Sequence, residues 1–267
     1  MVTLKSAREI ETMRRSGKIT ARVLTELMKT ARPGMTTAQL DELAERRIRE
    51  AGGVPTFKGY NGFRGSICAS VNEEVVHGIP GARVLREGDL LSIDIGTTLE
   101  GYVSDSAATI PVGRISQAAR RLLDVTQECL TIGIAEMVRG KHLGDIGAAV
   151  QAHAERHGYG VVRELVGHGV GRAMHEEPQV PNYGEPGTGL ELRTGLVLAL
   201  EPMITQGGPK VRILPDGWTV VTADGKLAAH FEHTIAVTED GPKVLTLRDY
   251  AEDPGVEPYR PPEEALA

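Results

Sequence analysis

The chain contains little cysteine, few aromatic residues and no long hydrophobic run. Only two cysteines, Cys68 and Cys129, occur among 267 residues, which is too few for a disulfide framework and predicts a reducing compartment. No segment approaches the ~20 consecutive apolar residues that a membrane helix requires. Charged residues occupy the N-terminal stretch where a signal peptide has its apolar core. We therefore expect a cytoplasmic protein without a membrane partner.

The sequence also has no excess of positive charge. It contains 30 Lys and Arg against 36 Asp and Glu, a net charge of −6, which predicts no general affinity for nucleic acid or anionic lipid. The hydrophobic content of 40% allows a sizeable core. We predict one domain over residues 1–250, with halves at roughly 1–113 and 114–250. The acidic, proline-rich residues 251–267 are expected to be a disordered tail.

Hydrophobic periodicity divides each half in the same way. Apolar residues at helical spacing predict four helices, over 6–31, 36–52, 116–137 and 143–157. Strand-like runs follow, at 66–71, 88–109, 161–166, 196–200, 218–222 and 231–237. Each half therefore reads as two helices followed by mostly antiparallel strands. This pattern predicts an α+β fold, with helices packed on one face of a curved sheet.

The segment 88–109 is predicted to be a β-hairpin. A turn centred on Leu99 and Glu100 would pair Asp94 directly with Asp105. Carboxylates that face each other across a ladder repel, and a bound cation would neutralise them. The alternative is another register in which both side chains reach solvent. The hairpin alone does not decide between the two.

A second copy of this pattern occurs later in the chain. Residues 86–94 (REGDLLSID) align without a gap to residues 193–201 (RTGLVLALE), which matches Asp94 with Glu201. Each half adds an upstream histidine and a downstream acid, namely His77 and Asp105 in the first and His168 and Glu232 in the second. Such internal similarity predicts two pseudo-symmetric halves with a site between them.

Four carboxylates and one imidazole stand out on this duplicated frame: Asp94, Asp105, His168, Glu201 and Glu232. The set suits Mn²⁺, Fe²⁺ or Co²⁺, and Zn²⁺ is also compatible. Four negative charges would balance two divalent cations, and two-metal hydrolytic sites lower the pKa of bound water to about 7. Each residue taken alone has a structural alternative, such as a turn aspartate or a hydrogen-bonded core histidine. The five together favour a metal site.

Two histidines and a cluster of aromatic residues each allow a functional and a structural interpretation. His77 and His175 lie in glycine-containing loops and are predicted to contact substrate or carry protons; the alternative is that they only orient their loops. Phe57, Tyr60 and Phe63 cluster in one loop, which indicates either a binding pocket or a loop held to the core by its rings. Five further histidines are interpreted as structural or surface residues: His142, His153, His157, His230 and His233.

Taken together, five segments resemble the type I methionine aminopeptidase family over about residues 5–246: SICASVNEEVVHGIP, LLSIDIG, GHGVGRAMHEEPQVPNYG, LALEPM and FEHTIAV. The resemblance implies a pita-bread fold. It also implies removal of the initiator methionine from nascent chains whose second residue is small, by a hydroxide that bridges two divalent ions (Co, Mn, Fe or Zn). The implied ligands are the five residues named above, with Glu201 also the general base. His77 and His175 would contact the scissile peptide.

The resemblance further implies a methionine pocket, formed by Tyr60, Phe63, Cys68 and Trp218, with Phe57 at its rim. Met174 stands where the family usually has an aromatic residue, so we expect a looser pocket that still prefers methionine. Two other hypotheses remain: a binding module that has lost catalysis, and a prolidase-like dipeptidase. The family also suggests a monomer, with transient proximity to the ribosome.

Overall fold

The computed structural model describes residues 2–248, and the predicted tail over 251–267 lies outside them. Four helices form: Ala7–Thr30 (α1), Thr37–Glu50 (α2), Gln117–Glu136 (α3) and Leu143–Arg156 (α4). The first two begin with capping boxes, in which Ser6 and Glu9, or Thr36 and Gln39, satisfy each other's backbone N–H groups. The predicted helices are therefore confirmed to within a few residues.

Short antiparallel strands make up the rest of the fold. The first half contains Val54–Pro55 (β1), Ile67–Val71 (β2), Glu74–Val76 (β3), Leu90–Leu99 (β4) and Tyr102–Pro111 (β5). The second half contains Gly160–Val161 (β6), Gly167–Gly169 (β7), Glu176–Val180 (β8), Val197–Leu200 (β9), Met203–Thr205 (β10), Val211–Ile213 (β11), Val220–Thr222 (β12), Ala228–His230 (β13), His233–Thr238 (β14) and Gly241–Val244 (β15). Two sheets are the largest. In the four-stranded sheet of the first half, β4 pairs with β1, β2 and β5. In the five-stranded sheet of the second half, the strand order is β15-β14-β9-β7-β8.

Two strand predictions were partly wrong. The run 161–166 forms a strand only at Gly160–Val161, because its antiparallel partner β10 begins at Met203, whose carbonyl accepts the last hydrogen bond from Val162 N–H. Trp218 lies before β12, since its N–H donates to the Asp216 carboxylate in a turn.

The central hairpin forms, but in a different register from the predicted one. Asp94 pairs with Ala107, and Asp105 pairs with Gly96. The turn is made by Glu100 and Gly101, whose φ angles of 51° and 76° suit a two-residue hairpin. The prediction that the two aspartates face each other directly was therefore wrong. A shift of two residues preserves the face, so they remain diagonal neighbours on one side of the sheet.

Strands β5 and β14 join the two halves through buried hydrogen bonds. Thr234 Oγ1 accepts from Asp105 N–H at 2.9 Å and donates to the Asp105 carbonyl at 2.8 Å. Glu232 N–H donates to the Ala107 carbonyl at 3.0 Å, and the Ser106 hydroxyl donates to the Glu232 carbonyl at 2.8 Å. An acid from each half is thereby fixed at the junction.

Helix α1 covers the central hairpin with an interface that is partly polar. Its Ser16 hydroxyl donates to the Thr97 carbonyl at 2.8 Å, and Thr20 Oγ1 lies 2.8 Å from Ser104 Oγ. Gly17 lies between them and faces the chain just after β15. A Cβ at Gly17 would lie 2.2 Å from the backbone oxygen of Leu245, so only glycine allows this approach.

No helix within residues 2–248 combines the length and apolar character needed to cross a bilayer.

Replacing Gly17 with alanine should destabilise the fold. In an open helix interior this change stabilises by roughly 1 kcal/mol, but here the new methyl group would overlap a backbone atom. We expect a loss of about 1–3 kcal/mol in the free energy of unfolding, measured by urea denaturation. The neighbouring exposed change Lys18→Ala is the control and should stay within about 0.5 kcal/mol of the wild type. A Gly17→Ala protein as stable as the wild type would contradict the close packing.

Candidate metal centre

All the predicted site residues line one cavity of about 200 Å³. The residues that line it are Phe57, Tyr60, Asn61, Phe63, Cys68, His77, Asp94, Asp105, His168, Met174, His175, Glu201, Trp218 and Glu232. Asn61 is the one member that the sequence analysis did not single out. Carboxylates and histidines from both halves therefore meet aromatic and sulfur-containing side chains in a single enclosure.

Strands from both halves present the five predicted ligands. Asp94 lies on β4, Asp105 on β5 and His168 on β7, whereas Glu201 follows β9 and Glu232 precedes β14. Ligand atoms of Asp105, His168 and Glu232 all lie within 4.8 Å of one another. The five donors therefore converge, although they are far apart in the sequence.

The orientation of His168 leaves one ring nitrogen directed at the acids. Its Nδ1 lies 2.9 Å from the Gly169 carbonyl and donates to it, so Nε2 is the nitrogen with a free lone pair. Nε2 lies 3.8 Å from Asp105 Oδ2 and 3.6 Å from Glu201 Oε1. A backbone hydrogen bond of this kind is what usually orients a histidine that binds a metal.

Three of these carboxylates each have one oxygen without a hydrogen-bond partner within residues 2–248. Asp94 Oδ1, Asp105 Oδ1 and Glu232 Oε1 are buried without a hydrogen-bond donor, and Asp105 and Glu232 are each only 2% exposed. Buried polar atoms without partners cost free energy. A cation between them would satisfy all three oxygens, so the donor set fits divalent metal ions.

Burial shifts the pKa of every group in the cluster towards its neutral form. It raises the pKa of Asp94 to about 7. It also raises the pKa values of Asp105, Glu201 and Glu232 well above the ordinary range, and the charge of Asp94 raises them further. The pKa of His168 is lowered to about 4, again mainly by burial, so its imidazole is neutral at pH 7 and can act as a ligand.

His77 and His175 line the same cavity as the carboxylates. His77 adopts a left-handed φ of 61°, a conformation that costs energy for a residue other than glycine and is typical of functional sites. Burial lowers its pKa to about 4. His175 Nδ1 lies 2.7 Å from the Tyr60 hydroxyl, and its ring centroid is 4.3 Å from that of His168.

The sequence analysis missed His230, which it treated as structural or surface. Its Nε2 lies 3.7 Å from Glu201 Oε2 and is buried without a hydrogen-bond partner within residues 2–248. Burial lowers the pKa of His230 to about 3. Its position gave little signal in the sequence, because His230 ends β13 whereas Glu232 lies in the link before β14.

The apolar part of the cavity depends on a glycine, Gly96, that makes room for an aromatic ring. A Cβ at Gly96 would lie 2.7 Å from Phe57 Cε1, so glycine leaves space for this ring beside the acids. Phe63 meets Trp218 edge to face, with ring centroids 5.0 Å apart. Phe57 and Phe63 are buried and also line the cavity, so these rings hold the loop to the core, and their role in binding remains a prediction. Cys68 pairs with Asp94 in the β2–β4 ladder, which joins the pocket to the carboxylates.

The model of metallopeptidase family M24 matches residues 11–239. The chain is 54% identical to methionine aminopeptidase 1 of Bacillus subtilis over 246 residues, which are 92% of this chain and 99% of that protein. The chain belongs to family M24, among its methionine aminopeptidases. The crystal structure of methionine aminopeptidase from Thermotoga maritima superposes with a TM-score of 0.91 at 44% identity, covering 92% of this chain and 99% of that one.

A more distant similarity shows the fold alone. Prolidase from Pyrococcus furiosus has a TM-score of 0.75 at 21% identity, and the match covers 92% of this chain and 66% of that one. The family membership confirms the predicted pita-bread fold, the metallopeptidase class and the dependence on divalent metal. The roles of individual residues remain predictions.

The buried acid Asp94 should lower the stability of the metal-free protein as the pH rises through about 7. Burial raises the pKa of Asp94 to about 7 in the folded state, so the folded protein releases there a proton that the unfolded chain has already lost. The buried histidines shift in the opposite sense and are half protonated in the unfolded chain at their ordinary pKa of 6.5, so they oppose this loss. A variant that lacks the acid but keeps the histidines isolates the contribution of Asp94, measured as the Tm of chelator-treated protein at pH values of about 6.5 and about 8.5.

The variant Asp94→Asn is the matched comparison for this experiment. It lacks the group with a pKa of about 7 and keeps the histidines, so over the same pH range the Tm of the wild type should fall by roughly 2 °C relative to that of the variant. Equal slopes for the wild type and the variant would contradict the assignment of this pH dependence to the buried acids.

Proposed function

We propose that this protein removes the N-terminal methionine from nascent chains and peptides whose second residue is small, in a metal-dependent hydrolysis. The observation that carries the proposal is the juxtaposition in one cavity. Buried carboxylate oxygens without partners lie beside a pocket of aromatic and sulfur-containing side chains. The first group suits cations, and the second suits a thioether.

The proposed ligands of two divalent ions (Co, Mn, Fe or Zn) are Asp94, Asp105, His168, Glu201 and Glu232. When bound, such ions polarise a carbonyl group and lower the pKa of water. The charges of four carboxylates balance two such ions. The buried position of the acids also excludes competing water molecules, which strengthens electrostatic interactions inside the site.

The methionine side chain would enter between the aromatic rings. Its proposed contacts are Phe57, Tyr60, Phe63, Cys68, Met174 and Trp218. Sulfur interacts favourably with the edges of aromatic rings, and the Phe63–Trp218 pair offers such edges within the cavity. Because Cys68 and Asp94 are paired across the β2–β4 ladder, a side chain held here would place its own backbone next to the acids.

His77, His175 and Glu201 are the proposed catalytic groups. In our proposal the Tyr60 hydroxyl donates to His175 Nδ1 over 2.7 Å, which leaves the hydrogen on Nε2 available for the substrate carbonyl oxygen. His77 would supply a second donor as negative charge develops there. Glu201, whose pKa is raised by burial, would accept the proton from water. His230, 3.7 Å from Glu201, would orient that carboxylate.

The proposal also includes the setting in which the enzyme works. A cytoplasmic monomer with transient proximity to the ribosome would meet new N-termini as they emerge. The net charge of −6 offers no general attraction for nucleic acid, so such proximity would depend on local contacts or on the nascent chain itself.

Product release from a peptide panel tests the proposed specificity. Peptides that begin Met-Ala, Met-Lys, Leu-Ala and Ala-Pro would be incubated with the purified protein, with Mn²⁺ or Co²⁺ and with chelator, and analysed by mass spectrometry. We expect methionine to be released only from the Met-Ala peptide, and only when metal is present. Cleavage of the Ala-Pro peptide instead would favour a prolidase-like activity. No cleavage with either metal would favour a binding module.

Changing Asp94 to asparagine should abolish activity while the fold is retained. The substitution keeps the size of the side chain, removes a proposed ligand and relieves charge repulsion in the metal-free protein. Loss of even an outer-shell partner of a metal ligand costs about 10- to 100-fold, so we expect a loss in kcat/KM of at least ~100-fold. The exposed change Asp124→Asn on α3 is the control and should behave as the wild type. Full activity of the Asp94→Asn variant would contradict the proposed ligand set.

A further inference from the structure

A second group of metal-binding side chains lies outside the cavity, where α3 and α4 pack together. Glu128 of α3, His153 of α4 and His157, which caps the C-terminus of α4, present ligand atoms that all lie within 4.8 Å of one another. The two histidines are four residues apart, a spacing that places them on the same side of the last turn of the helix. The carboxylate reaches them from the neighbouring helix.

The geometry of this cluster is already well defined. His153 Nε2 lies 2.7 Å from Glu128 Oε2. The rings of His153 and His157 have centroids 4.6 Å apart and planes at 84°. The side chains of His153 and Glu128 are 12% and 20% exposed, and all three residues are half-buried, so an ion can reach the cluster from solvent.

We propose that Glu128, His153 and His157 bind a divalent late transition-metal ion such as Zn²⁺, which links α3 to α4. Two imidazoles and one carboxylate are a common donor set for zinc, with water in the remaining position. The same donor set disfavours Mg²⁺ and Ca²⁺, because these ions prefer oxygen ligands. The site shares no residue with the cavity, so this proposal does not rest on the proposed function.

Arg121 is the group that competes with the ion. Its Nη2 lies 3.4 Å from His157 Nδ1, where its positive charge opposes a cation and its N–H groups occupy a ring nitrogen. Arg121 is exposed, so its side chain can move away when an ion binds. Removing the guanidinium should therefore tighten metal binding, whereas removing a ligand should weaken it.

Binding here would stabilise the helix pair behind the second half of the fold. Helix α3 packs against β9, β10 and β13 as well as α4, and the Cys129 thiol, next to Glu128, lies 3.7 Å from the Val150 carbonyl of α4. An ion across this interface would oppose separation of the helices. We therefore expect Zn²⁺ bound at this site to raise the Tm of the protein.

Zinc binding by the full-length protein tests the proposal. Chelator-treated wild type, His157→Gln and Glu128→Gln would be equilibrated with increasing free Zn²⁺, and bound zinc would be counted by atomic emission. We expect each variant to bind one ion fewer than the wild type, or to bind it with a Kd at least ~10-fold higher. The control is His142→Gln, which removes the histidine at the other end of α4 and should bind as many ions as the wild type.

Two further measurements make the result decisive. Arg121→Ala should lower the Kd of the same ion, an opposite effect that general destabilisation would not produce. Circular dichroism would confirm folding, and Glu128→Gln, which keeps the size of the side chain, decides the question if His157→Gln fails to fold. The proposal is wrong if the cluster variants bind zinc with the same stoichiometry and Kd as His142→Gln.

Discussion

The structure depends on the burial of several carboxylates in one place. Asp105 and Glu232, one from each half, are almost inaccessible to solvent, and their backbones are tied together through Thr234, Ser106 and Ala107. Buried acids with unpaired oxygens are unstable unless they are protonated or paired with cations. Their raised pKa values show how strongly the metal-free site disfavours the charged forms. The fold therefore holds in place a site that cations would complete in our proposal.

The same burial gives the cavity its selectivity in our account. The β2–β4 ladder sets Cys68 against Asp94, and Gly96 makes room for the Phe57 ring, so an apolar pocket begins where the charged cluster ends. His77, which lines the same cavity, is held in a costly left-handed conformation. A peptide N-terminus bound here would have its side chain in the pocket and its carbonyl group beside the histidines. Recognition of the side chain and hydrolysis of the peptide bond would then both depend on the β2–β4 ladder.

Much of this could be predicted from the sequence, because the signals are local or repeated. Ser6 and Thr36 mark helix starts through capping boxes, and the duplicated pattern identified Asp94 and Glu201 as equivalent. The hairpin register could not be derived, since it depends on which residues of the turn adopt positive φ, here Glu100 and Gly101. His230 was missed because its neighbour Glu201 comes from another strand. The pocket residues were implied by family resemblance rather than by spacing.

Anomalous X-ray diffraction from crystals loaded with Mn²⁺ is the measurement that tests the central claim most directly. The account predicts two anomalous peaks in the cavity, within bonding distance of carboxylate oxygens from both halves, with His168 Nε2 beside one of them. A single peak would require a different charge balance among the acids. Fully loaded crystals with no peak between Asp94, Asp105 and Glu232 would contradict the claim that cations neutralise the buried carboxylates.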